Sequence, residues 1–179
     1  MLRIPPIVAA VAAVAISGCG EVAGAKDAAR YSAELQPLND SRVEGRATFA
    51  REGEHLTVSL RARGLEPNFV HGQAIHGFVS ERQAAECPGE EFGAERIEAR
   101  EGERDYGRRL FKLEPFPSAN SRGRIRYQLL FTIDPDELEP LETKTIVLRG
   151  QREGGEGSRY LPDLPVACGR LRADARAEP

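Results

Sequence analysis

His71 and His76 are two of only three histidines in the chain, and both lie in the stretch from Gly64 to Phe78. Imidazole nitrogens ligate copper and zinc and carry protons near neutral pH, so metal or acid–base chemistry would centre here. The spacing limits it. Side chains alternate along a strand, so residues five apart point to opposite faces. His71 and His76 can then share a metal ion only if the chain bends at Gly72. His55 opens an alternating segment on its polar side and reads as solvated.

Other chemistries find little support. There is no Gly-x-Ser-x-Gly, and Ser118, Ser121 and Ser158 sit in turn contexts. Gly150 to Ser158 is glycine-rich but lacks the lysine and following helix of a phosphate loop. Glu86, Glu90, Glu91, Glu95, Glu98, Glu101, Glu103 and Asp105 offer oxygen ligands of the kind calcium takes. They lack the spacing of an EF-hand loop and read as a solvated charged segment with interspersed arginines. Asp134, Asp136 and Glu137 read as turn and cap residues.

The first 18 residues read as a leader. After Arg3, Ile7 to Ile16 is an unbroken apolar run, too short to span a bilayer as a helix but suited to a secretory signal. Ile16-Ser17-Gly18-Cys19 then reads as a lipobox, with Cys19 carrying the lipid and a bacterial membrane as the anchoring partner. Several acyl chains, at roughly 0.8 kcal/mol per buried CH₂, hold a protein without a transmembrane helix. Residues 19–29 form the lipidated tether, 30–172 one domain, and 173–179 a loose tail.

Removing the leader leaves 161 of 179 residues, enough for a sizeable single core, and takes the net charge from −3 to −4. That balance gives no reason to expect a nucleic-acid partner. The lipid takes Cys19, leaving Cys87 and Cys168 in an oxidising compartment, where a disulfide is the simplest expectation.

The positioning elements are strands. Leu56, Val58 and Leu60 alternate with polar residues from His55 to Arg61, as do residues from Val43 to Phe49, with Arg51 to Glu54 as the turn between them. Ile125, Tyr127, Leu129, Phe131 and Ile133 line one side of the longest alternating segment. Thr145–Arg149, Val166–Leu171, Tyr31–Leu38, Val70–Val79 and Leu110–Leu113 bring the expectation to about eight strands. Helical signals are confined to short turns at Ser80–Gln83 and Pro135–Leu138. Residues 88–109 read as a long loop over the strands. The fold expected is all-β, an antiparallel Greek-key sandwich or flattened barrel.

The order of these features resembles the copper/zinc superoxide dismutase family, and more loosely the chordin-type (CHRD) domains. Gly64-Leu65 precedes the histidine stretch, Cys87 falls in the following loop, and Ala167-Cys168-Gly169 closes the chain. The resemblance implies the fold and the Cys87–Cys168 bridge. It gives Gly64, His71 and Gly72 structural roles and places His76 on a copper ligand. It also shows what has gone. Ala74 and Arg149 stand where two other copper ligands belong, Pro165 stands where the family has its active-site arginine, and no histidine follows His76. Arginine has only donors and cannot ligate a metal. The resemblance thus implies the frame of a copper site without its chemistry. The reading is a non-enzymatic envelope lipoprotein whose domain binds an unidentified protein or small ligand, or serves structurally. The alternative is a copper- or zinc-binding protein using His76, with His71.

Overall fold

The computed structural model describes residues 28–80, 83–89, 96–154 and 157–175. The leader, Cys19, most of the tether, Glu81, Arg82, three of the acidic residues named above (Glu90, Glu91 and Glu95), Gly155, Glu156 and the end of the tail lie outside them. Among the described residues no helix is long and apolar enough to cross a membrane.

The chain is all-β. Its strands are β1 (Ala29–Pro37), β2 (Glu44–Glu52), β3 (His55–Arg63), β4 (Gln73–Gly77), β5 (Arg108–Lys112), β6 (Ile125–Thr132), β7 (Thr145–Arg152), β8 (Tyr160–Arg170) and the two-residue β9 (Arg172–Ala173). They form one antiparallel sheet in the order β5-β4-β7-β8-β1-β2-β3-β6, with β9 on β1. The β3–β6, β4–β7 and β8–β1 neighbours are far apart in sequence, so the sheet depends on long-range connections of the Greek-key kind. Strand β1 joins the two halves. Its first seven residues pair with β2, and Gln36 and Pro37 pair with β8.

The sheet curls round one apolar core as a flattened barrel. Alternation drives it: Leu56, Val58 and Leu60 are fully buried and pack with Phe49, Ile75, Ile146 and Leu148. Burying each such side chain contributes roughly 1.5–3 kcal/mol. The terminal strands β5 and β6 meet through side chains: Phe111 and Phe131 pack edge to face with centroids 5.6 Å apart. An aromatic pair thus spans the gap between the two ends of the sheet.

Two expectations need correction. The strand expected over Val70–Val79 narrows to β4, because the backbone before it bonds elsewhere: Asn68 N–H donates to the Ala119 carbonyl, His71 N–H to Pro117, and Ala119 N–H to Phe69. The expected loop over 88–109 contains helix α1 (Ala99–Tyr106) and the start of β5. The Glu101 carboxylate accepts from the Glu98 N–H at 2.9 Å and caps the helix start. Its last residue, Tyr106, is fully buried. The second helix, α2 (Pro135–Leu138), sits where the turn was expected, with Asp134 accepting from the Asp136 N–H at 3.0 Å.

The Cys87–Cys168 disulfide is present, with Cα atoms 5.6 Å apart. It belongs to a second apolar cluster outside the barrel core, made of Leu38, Ile97, Tyr106, Val147 and Cys168. That cluster covers the outer face of β7 and β8.

Candidate functional site

Strand β4 is buried at every residue, and His76 is inaccessible within it. The cover comes from the segment read as a loop: the Tyr106 ring meets the His76 ring edge-on at 4.9 Å, and Tyr106 Oη donates to the Ala99 carbonyl at 2.8 Å. Gly107 follows with φ 75°, and a Cβ there would lie 2.3 Å from the Gly77 carbonyl carbon. Only glycine allows the helix end to press this close to β4.

Two contacts fix the chemistry of His76. Nδ1 lies 3.0 Å from the Gly107 carbonyl oxygen, which only accepts, so Nδ1 carries the proton. Nε2 lies 3.2 Å from Arg149 Nη2, which only donates, so Nε2 presents its lone pair to the guanidinium. The ring is neutral and in one tautomer. Burial holds its pKa down at about 4, the Gly107 hydrogen bond pulls the other way, and the charges of Arg149 and Arg109 lower it further. The nitrogen that would meet a metal is already engaged by a cation.

Arg149 is the centre of the site. It lies on β7, 6% exposed, and Nη1 donates to the Asp163 main-chain carbonyl at 2.9 Å. Its Nε is buried and has no hydrogen-bond partner. No carboxylate lies within ion-pair distance of Arg149 among the described residues. Its neighbours on the sheet are β4 and β8, where Ala74 pairs with Val147 and Pro165 with Arg149 itself.

His71 lies just before β4 and addresses a different part of the same residue. Its Nδ1 is 3.2 Å from the Arg149 carbonyl oxygen and its Nε2 is 3.0 Å from the Glu66 carbonyl oxygen. It ties the turn at Glu66 to β7. Gly64 begins that turn with φ 81°, and a Cβ there would lie 2.3 Å from the Arg42 carbonyl oxygen. The two histidines thus meet around Arg149 without converging on a common point for an ion.

The copper site implied by the resemblance does not fit these residues. No cluster of three or more His, Cys, Asp or Glu placed to hold a metal occurs among the described residues, and an arginine stands on the remaining histidine. The acidic residues of the former loop are used otherwise: Glu98 pairs with Arg96 at 2.9 Å and Glu86 with Arg170 at 2.6 Å. His55 is exposed at the start of β3.

Tyr106, Gly107 and Tyr160 were not singled out by sequence. A signal for Tyr106 existed: it is the only aromatic residue between Glu98 and Arg109. Tyr160, on β8, stacks on Phe69 at 4.3 Å and donates to the Val70 carbonyl at 2.6 Å. Burial, then the Glu66 charge, pushes its phenol up to about 12, so it remains a donor. Compared with known proteins, the chain matches no family model and no curated sequence.

Proposed function

We propose that this chain is an exported envelope lipoprotein, anchored to a bacterial membrane through lipid on Cys19, with residues 30–172 forming a non-enzymatic binding or structural module of the superoxide dismutase-like or CHRD-like kind. The observation that carries the reading is the Arg149 guanidinium on His76 Nε2. A metal at His76 would have to displace a buried cation and then sit beside it, which is unfavourable by like-charge repulsion at a few ångströms. The leader and lipobox residues support the export and anchoring.

The test is a titration of the purified chain with Cu(II) and Zn(II), alongside His76→Ala. The reading expects no stoichiometric uptake by either protein. Tight binding that disappears in His76→Ala would sink it, as would superoxide dismutation by copper-loaded protein. For the anchor, Cys19→Ser should move the protein from the membrane fraction to the soluble fraction. Retention in the membrane would contradict the lipidation.

A further inference from the structure

Arg149 also lines a cavity of about 430 Å³, a size common for small-molecule sites. We propose that this cavity binds a small molecule bearing one carboxylate on an apolar, ring-sized body, with the carboxylate on Arg149 and the body against Phe69, Phe116 and Tyr160. The inference rests on the reading of the domain as a metal-free binding module, and it names the ligand class.

Charge is the first argument. Arg149 is buried, yet its polar neighbours are a main-chain carbonyl, a neutral imidazole and the Tyr106 phenol, and its Nε has no hydrogen-bond partner. A buried cation with only neutral partners and one orphaned donor is costly, and a carboxylate relieves both terms. Guanidinium and carboxylate match in shape as well as charge. Arg109 and Asp163 also line the cavity, so its ionic side chains sum to a single positive charge. That favours a monoanion over a phosphate dianion.

The walls give the rest of the ligand. Phe69 and Tyr160 form a stacked pair, with Tyr160 held by its bond to Val70. Val70, at the cavity lining, is 51% exposed, one of three large hydrophobic residues exposed among those described. An apolar ligand body would cover it. Gly72 keeps the cavity open: a Cβ there would lie 3.8 Å from Arg149 Cβ and 3.9 Å from a Phe116 ring carbon. These are ordinary contacts, so a larger side chain at Gly72 would occupy the space a ligand needs.

Hydrocinnamate and its neutral amide are suitable probes, titrated into the full chain while the Arg149 Nε–H and Gly72 N–H signals are followed by NMR. The expected result is saturable movement of both signals, with the acid bound at least about tenfold more tightly than the amide, since a hydrogen bond to a charged group is worth that ratio or more. Arg109→Gln, on the exposed side of the cavity, should weaken the acid several-fold and leave the amide unchanged. Gly72→Phe should abolish both. Equal binding of acid and amide, or the absence of saturable movement at Arg149, would overturn the proposal. So would acid binding undiminished in Gly72→Phe. The zinc titration is read separately: uptake at His76 would sink the metal-free reading, whereas the acid and amide titrations decide the ligand class.

Discussion

Strands β2, β3 and β6 and strands β4, β7 and β8 belong to one curled sheet but bury their residues differently. Along β3, buried residues alternate with more exposed ones from Leu56 to Ala62. Along β7, six consecutive residues from Thr145 to Gly150 are buried. Ile146 and Leu148 face the barrel core, and Val147 between them faces the outer cluster with Cys168 and Tyr106. The first half is a solvated sheet with one apolar face. The second is covered on both faces, by the barrel on one side and by α1 and the disulfide segment on the other. Polar groups buried in the second half are therefore cut off from water, and His76, Arg149 and Gln73 all lie there, with Arg149 Nε and Gln73 Nε2 left without a hydrogen-bond partner in the protein. Two-sided cover is what makes a site possible in this fold.

The largest effect on this contrast should come from the disulfide. It closes a segment with a sequence separation of 81, so replacing Cys87 and Cys168 by alanine should cost about 4 kcal/mol in the chain-entropy picture. Urea unfolding measures the loss. Hydrogen exchange should show it first in β7, β8 and α1, with the β2–β3 hairpin protected longest. Uniform loss of protection would argue against two differently built halves.

Single core truncations come next. In β3, Leu60→Ala should cost about 2–5 kcal/mol, while Ser59→Ala should stay within about 0.5 kcal/mol. In β7 the adjacent positions should both be sensitive: Ile146→Ala by about 2–4 kcal/mol and Val147→Ala by about 1–3 kcal/mol. A neutral Val147→Ala in urea unfolding would mean the outer cover contributes no packing.

Acid gives a smaller and more local effect. The folded pKa of His76 lies at about 4, below its ordinary 6.5. Between those values the unfolded chain takes up a proton that the folded chain excludes, so the contribution is complete above pH 6.5 and declines as pH falls. From pH 6.5 to pH 5 the loss should be about 1.5 kcal/mol, and His76→Gln should lack that part of the slope. Identical slopes in the two proteins would place His76 in a more open environment than its burial implies. A small effect should also come from Arg152→Ala. Arg152 lies over the Phe69 ring at 4.8 Å, and its loss should lower stability by about 0.5–1 kcal/mol.

The same contrast explains what could be read from sequence. Leu56-x-Val58-x-Leu60 and the run from Ile125 to Ile133 carry their fold in plain alternation, because water defines one of their faces. Ile146-Val147-Leu148 carries no alternation, since both faces are buried, so it identifies a strand but not its surroundings. The Cys87–Cys168 bridge was legible from cysteine number and from the expectation of export. Helix α1 was hidden by charge, because its buried residues are only Gly102 and Tyr106, and Tyr106 alone supplies an apolar side chain. The tautomer of His76 was also beyond the sequence: it depends on Gly107 and Arg149, which lie 31 and 73 residues away along the chain.

The central claim is that Arg149, and not a metal, engages His76. Heteronuclear NMR of the His76 ring at neutral pH tests it most directly. The account predicts a neutral ring protonated at Nδ1, with Nε2 unprotonated, hydrogen-bonded and unchanged when one equivalent of Zn(II) is added. A proton on Nε2, or a Zn(II)-dependent shift of that nitrogen, would contradict it.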